Sequence, residues 1–382
     1  MSERVAVRGV GQTHFKAKRT DVTLGGLVRE AAVRALTDAA LDWDDVDAVV
    51  LGKAPDMLEG VVFPELHLAD ALGAVGKPLL RAYTSGNAGG VAASIGVSLI
   101  ASGVHQRVLV VSFEKQSEAK AAGSTLQAVP FEAPWHGGTG SLFAAVIREY
   151  LARSGCPVHI GDIVALKERQ NALRNPFAQV RRPDLTLESI AESRMLWDPI
   201  RLLHSSPSSD GACALVLTDA GAAGENPAWV HGCAVRTEPA VGAGHVNSDP
   251  RAGRDCAADV YRQAGVTDPL REFDVAELFS PYSWIEPLLL ENLSIVGPGE
   301  GWRRCDDGTT AIEGTFPVNP SGGLLGANPI GAAGLVRFAE AALQVRGAAG
   351  EHQVDGARLA LGHAQGGYSN AVAMWVVGRD RP

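Results

Sequence analysis

Twice along this chain a glycine-rich turn runs directly into a helix built almost wholly of small apolar residues. That doubled pattern constrains the fold more than any other feature. The first turn is Thr84-Ser85-Gly86-Asn87-Ala88-Gly89-Gly90, ahead of a helix over 89–101. The second spans residues 319–334 and feeds a helix over 335–345. A helix apolar nearly all round has to be enclosed on every side, and glycine lets a neighbouring backbone approach closely. The short, mostly apolar run at 46–51 reads as a buried strand of the parallel-sheet type, and 275–279 as a further buried strand. Residues 4–9, 78–83 and 107–113 add strands to a first β-α-β half. An amphipathic helix over 23–41 belongs to the same half, with Leu24, Leu27, Val28, Ala31, Ala32 and Ala35 on one stripe. Strands at 229–236, 358–362 and 370–377 and a helix at 254–265 repeat the arrangement. The reading is an α/β chain made by internal duplication.

Between the halves, residues 115–207 are richer in charge, proline and tryptophan, with helical signals at 141–154 and 160–171. They read as a loop or lid region inserted on the first half. A Gly- and Ala-rich linker follows at 220–227. The division is therefore 1–114 with 208–222, then 115–207, then 223–382.

The net charge of −9 and the lack of any lysine- or arginine-rich block argue against a nucleic-acid backbone as partner. The five cysteines, Cys156, Cys213, Cys233, Cys256 and Cys305, are scattered without C-x-x-C spacing, so neither a metal site nor a disulfide framework is expected. Such usage suits a reducing cytoplasm. No apolar run approaches the ~18–20 residues of a membrane span, and the N-terminus shows no apolar signal core. The glycines at 137–140 lack the dinucleotide spacing.

Four segments carry a family resemblance. They are Asn171-Ala172-Leu173-Arg174-Asn175-Pro176, Pro207-Ser208-Ser209-Asp210-Gly211-Ala212-Cys213-Ala214, the turn at 319–334, and Gly366-Gly367. In that order they resemble the thiolase superfamily, specifically its sterol-carrier-protein-x type and the bacterial lipid-transfer-protein group. The 319–334 turn is similar to the Gly-His-Pro loop of thiolases. The resemblance implies a thiolase fold of two βαβαβ halves in an α-β-α-β-α layering, a CoA thioester as substrate and no cofactor bound by the chain itself. It also implies a homodimer, with the strand at 107–113 or its neighbour in the interface, and a separate zinc-ribbon/OB partner of the DUF35 class.

The departures from that pattern bear on function. Where thiolases carry a nucleophilic cysteine ahead of the first buried helix, this chain has Ser85 and Gly86, and Asn328 stands in place of the histidine. Glu277 and Tyr282 surround the shared Phe279-Ser280. His363 falls near the slot of the thiolase acid/base cysteine, with Gly367 and Tyr368 beyond it. Without a thiolate, Claisen chemistry through an acyl-enzyme is hard to write, whereas retro-aldol cleavage of a 3-hydroxyacyl-CoA needs no covalent intermediate. The expected acid/base groups are Tyr282, Tyr368 and His363. Asn328, Ser85, Gly86 and Gly367 would position substrate or stabilise an oxyanion. His136 and His245 are candidates to border the ligand. The resemblance to the lipid-transfer branch implies steroid side-chain aldolase activity. Two alternatives stay open: an acyltransferase using Ser85, and a non-catalytic acyl-CoA- or lipid-binding subunit.

Overall fold

The computed structural model describes residues 4–54, 61, 63–118, 137–239, 246–367 and 369–382. The chain opens with β1 (Val5–Gln12), α1 (Leu24–Ala39), β2 (Ala48–Lys53), α2 (Pro64–Leu68), β3 (Leu79–Tyr83), α3 (Ala88–Ala101) and β4 (Arg107–Lys115). After these come α4 (Thr139–Ser154), α5 (Ile160–Arg174), α6 (Leu187–Ala191) and the small hairpin β5 (Met195–Trp197) and β6 (Ile200–Arg201). Strand β7 (Asp210–Asp219) returns to the first half. The second half runs β8 (Ala228–Thr237), α7 (Arg251–Ala264), α8 (Pro269–Glu272), β9 (Val275–Glu277), α9 (Ile285–Asn292) and α10 (Gly301–Asp306). It closes with α11 (Gly323–Gly326), α12 (Ile330–Arg346), β10 (Leu359–Gly366) and β11 (Ala371–Gly378).

The strands lie in the order β3-β2-β4-β7-β1-β8-β11-β10-β9. Only Ala6 opposite Trp229 and Val7 opposite Ala228 join the two halves across this row. Read outward from that seam, the halves match. β1-β7-β4-β2 corresponds to β8-β11-β10-β9, with one parallel pair in each, β2 with β4 and β9 with β10. Even β3 has a counterpart, because Val318 forms a parallel bridge to Ala276 of β9. The duplication read from the glycine turns is thus present strand by strand.

Alternation along the strands builds the layers. Val50, Val110 and Leu215 face inward onto α3 and α12, while Val49, Leu109 and Val216 face outward onto the buried stripe of α1. In the second half Ala360 and Trp375 face the same two central helices, and Leu361, Met374 and Val376 face α7, α4 and α9. Helices α3 and α12 form the middle layer, and the glycines explain how they touch. A Cβ on Gly89 would lie 2.6 Å from the Leu335 nitrogen and one on Gly334 3.0 Å from the Gly90 nitrogen, while one on Gly90 would lie 2.7 Å from Trp375 of β11. Trp375 in turn stacks on Phe338 with ring centroids 4.7 Å apart and donates its indole N–H to Ser94. Truncating such a ring to alanine costs about 3–5 kcal/mol.

Helix α1 begins at the Thr23 cap, whose hydroxyl accepts the Gly26 N–H. Two features differ from the sequence reading. Helix α12 starts at Ile330, so Gly331 and Gly334 sit inside the helix rather than in the turn. The region 115–207, although interrupting the first half in sequence, sends Phe143, Ile147, Tyr150, Ile160 and Val164 into one cluster with Leu288, Leu289 and Leu361. It packs on the outer face of the second half, because that is where unpartnered apolar sheet surface remains. Among the described residues, no helix is long and apolar enough to cross a membrane.

Candidate active site

A cavity of about 730 Å³ opens where both glycine turns, the last strand and the 137–208 segment converge. Ser85, Gly86, Tyr282, Asn328 and Gly367 all line it. Five residues separated by up to 282 positions are therefore brought to one place, as the sequence reading expects.

Ser85 lies just ahead of α3, at the partly positive end of that helix. Its hydroxyl accepts the Gly367 N–H at 2.6 Å. Among the described residues no side-chain base reaches this hydroxyl, so nothing there would make it a nucleophile. The thiols offer no substitute. None lines the cavity, and burial pushes Cys233 up to about 11, Cys156 and Cys256 up to about 12, and Cys213 and Cys305 well above the ordinary thiol value. A thiolate is denied on both grounds, position and protonation.

Tyr282 is held by an antiparallel bridge to Ser205, reinforced by Ser206 N–H donating to Pro281 O at 2.9 Å. Its ring packs against Phe143 at 5.2 Å. Among the described residues its hydroxyl has no hydrogen-bond partner, and burial pushes its pKa up to about 12. It is thus a proton donor at neutral pH. Asn328 is fixed from three sides. Its N–H donates to Ser209 Oγ at 2.9 Å, its carbonyl accepts from Gln116 at 3.1 Å, and its amide Nδ2 donates to Ser206 Oγ at 3.0 Å. Among the described residues the second Nδ2 hydrogen is left for an oxyanion and the buried Oδ1 has no partner.

His363 does not join them. It sits inside β10, fully buried and off the cavity, with Nδ1 accepting the Phe279 N–H at 3.4 Å. Burial drives its pKa down to about 3, so it stays neutral and holds a backbone amide. The sequence reading ended the strand at Gly362, but β10 extends to Gly366, and His363 lies two residues further into the strand than Gln365, on the same face but beneath the cavity wall. Glu277 is likewise structural. It pairs with buried Arg337 and accepts from Ser321 N–H at 3.1 Å and from its hydroxyl at 2.8 Å. Tyr368, His136 and His245 lie outside the described residues.

Other groups come into view only in three dimensions. Arg169 of α5 donates to the carbonyls of Leu203 at 2.9 Å and Ser205 at 3.1 Å, bracing the cavity wall behind Tyr282. Burial lowers its pKa to about 10, so it remains charged. His204 donates from Nε2 to Asp162 at 2.7 Å and accepts the Arg201 N–H on Nδ1, so neither ring nitrogen is left to act as a base. Gln365 donates to Phe279 O at 3.1 Å while lining the cavity. Phe143, Leu196, Trp197, Leu202 and Leu203 make an apolar wall opposite Ser205, Ser206 and Ser208. The only sequence signal for these was the tryptophan-rich character of the inserted region. Among the described residues, no group of three or more His, Cys, Asp or Glu is arranged to hold a metal ion.

Comparison with known proteins agrees with this architecture. The family described as "Thiolase C-terminal domain-like" matches residues 245–379. An acetyl-CoA acetyltransferase of Methanothermobacter thermautotrophicus is 33% identical over 390 residues, covering 98% of this chain and 99% of the relative. Sterol carrier protein 2 of Oryctolagus cuniculus is 26% identical, over 98% of this chain and 72% of its own. Among solved structures, one described as the Ltp2-ChsH2(DUF35) aldolase superposes with a TM-score of 0.85 at 24% identity, covering 100% of this chain and 99% of the other. That last likeness speaks for the fold. The chain belongs to the thiolase superfamily, and sterol carrier protein 2 and a lipid-transfer-like protein are among the proteins it is similar to.

Proposed function

We propose that this protein is a carbon–carbon lyase that cleaves a bulky 3-hydroxyacyl-CoA, such as a steroid side chain, to a ketone or aldehyde and a shorter acyl-CoA. The single observation that carries the reading is a thiolase-type cavity with no thiol on its wall and a buried, protonated Tyr282 on it. In the retro-aldol step a base takes the β-hydroxyl proton, the C–O pair becomes a carbonyl, and the Cα–Cβ bond breaks. Its electrons pass to the thioester as an enolate. Asn328 Nδ2, with backbone N–H groups, stabilises the enolate oxygen, and Tyr282 returns a proton to Cα. Tyr368, next to Gly367 in sequence, is the proposed base. The apolar wall suits a bulky hydrocarbon substituent. No cofactor of the chain's own is needed. The neighbour described as the Ltp2-ChsH2(DUF35) aldolase supports both the lyase reading and a DUF35 partner.

For a homodimer, in which the strand at 107–113 or its neighbour is expected at the interface, the sheet edge is the better placed surface. β4 is interior, whereas β3 ends the row and exposes Leu80 and Tyr83. A cytoplasmic setting accords with five unpaired cysteines.

One observation favours an acyltransferase, namely the 33% identical relative of that name. A CoA balance separates the readings. With a tertiary 3-hydroxyacyl-CoA, the lyase releases ketone and short acyl-CoA without free CoA, in the presence or absence of a DUF35 partner. Consumption of free CoA with a 3-ketoacyl-CoA would instead establish the transferase. Tight binding with no turnover of either would leave a ligand-binding subunit.

A further inference from the structure

The segment carrying Tyr282 and the turn carrying Asn328 belong to different parts of the second half, yet both meet one buried carboxyl. Glu168 of α5 is fully buried. Its Oε1 accepts the Ser280 hydroxyl at 3.0 Å and Asn319 Nδ2 at 2.7 Å. Asn319 closes the triangle, its Nδ2 also lying 3.1 Å from Ser280 Oγ and its Oδ1 accepting the Leu278 N–H at 2.7 Å. Asn319 itself has φ of +54°, a left-handed conformation that needs outside support in a non-glycine residue. Ser280 stands two positions before Tyr282, and Asn319 opens the turn that ends at Asn328.

Among the described residues the second oxygen of Glu168 has no partner, and a Cβ on Gly323 would lie 2.7 Å from it. Gly323 has φ of +55°, so both its conformation and its lack of a side chain make room for this carboxyl. Burial, with Glu286 nearby, pushes the Glu168 pKa up, while the Lys167 and Arg169 charges flank it. Lys167 is itself paired with Glu286 at 2.5 Å.

Resting on the lyase reading above, we infer that Glu168 is a positioning residue, whose carboxyl locks the Tyr282 segment to the Asn328 turn and so sets the distance between proton donor and oxyanion site. Asn171 and Asn175 of the same helix hold the Asn319 and Ser321 carbonyls at 3.0 Å each. They anchor the turn to α5 but do not reach the Tyr282 segment; Glu277 also joins the two at Ser321, and Ser206 joins Pro281 to Asn328, while Glu168 with Asn319 is the link made from α5.

The test compares Glu168→Ala, Glu168→Gln and Ser280→Ala by steady-state cleavage of a 3-hydroxyacyl-CoA and by hydrogen–deuterium exchange over 277–282 and 319–328. Misplacing the donor should lower kcat at least tenfold in Glu168→Ala with KM within about threefold, as for an interaction made only in the transition state. Glu168→Gln, nearly isosteric and still able to accept on Oε1, should recover most of the loss. Exchange in 277–282 and 319–328 should rise together in Glu168→Ala, with α5 still protected. An unchanged kcat, a rise in KM alone, or exchange unaltered in either segment overturns the inference. If Glu168→Ala does not fold, Ser280→Ala must show the same kcat loss and the same exchange in 277–282. If the wild-type protein cleaves no hydroxyacyl-CoA, the lyase reading fails, and the paired exchange in the two segments alone decides the role of Glu168.

Discussion

The two glycine turns occupy equivalent places in the duplicated halves and face the same cavity, yet they are built very differently. The first, Thr84 to Asn87, contributes little beyond Ser85, whose hydroxyl rests on the Gly367 amide. The second, Asn319 to Asn328, is tied to its surroundings at three positions: Glu168 and the Leu278 N–H at Asn319, Glu277 and Arg337 at Ser321, Ser206 and Ser209 at Asn328. In thiolases the first turn would bear the nucleophile. On the proposed reading the oxyanion donor and the proton donor lie on the second turn and on the Tyr282 segment beside it, with the base at Tyr368. A scaffold can keep its duplicated geometry while moving its chemistry from one copy to the other.

The sharpest way to break this contrast is at Tyr282. Tyr282→Phe removes the proton donor and should lower kcat by about 10²–10⁴-fold with little change in KM, read in the hydroxyacyl-CoA cleavage assay. The wiring of the second turn is next. Arg337→Met leaves Glu277 as an uncompensated buried charge and should cost about 3–5 kcal/mol in denaturant titration. Gly323→Ala adds a Cβ against Glu168 at a left-handed position and should cost roughly 1–3 kcal/mol, visible as a lowered Tm. The first turn should be far more tolerant of a change in its chemistry. Ser85→Ala should keep the cleavage rate within about threefold, whereas a transferase would lose its activity altogether.

The smallest effect is a pH dependence of stability. Burial alone would push the His352 pKa down, but the Glu340 carboxylate 2.8 Å away holds it above 6.5. That contribution is fully present below the unfolded value of 6.5 and lost as pH rises through the raised folded value. Burial would raise Glu340, yet His352 brings it below its usual range. Its contribution is present above about 4.5 and lost as pH falls through the depressed value. His352→Gln should flatten the alkaline decline in Tm, and an unchanged Tm profile would remove this pair from the account.

Much of the fold was legible because it is written in periodicity. Two turns, two small-residue helices and the apolar runs beside them led directly to the paired halves. The site was legible where a turn delivers residues locally, as at Ser85, Asn328 and Gly367. It was hidden where position depends on how far a strand runs or which sheet face remains bare. His363 looked equivalent to its neighbours in a glycine-rich run, but it lies two residues deeper in β10 than the cavity-lining Gln365. Ser206, Arg169 and Glu168 gave no local signal, since their roles arise from α5 and the 200–208 loop packing on the second half.

The central claim is that carbon–carbon cleavage occurs here without an acyl-enzyme. It is tested most directly by running turnover in D₂O and taking intact-protein mass spectra during the reaction. The account predicts one deuterium at Cα of the released acyl-CoA and no acyl adduct on the protein. An adduct mapping to Ser85, or a product formed only when free CoA is added, would contradict it.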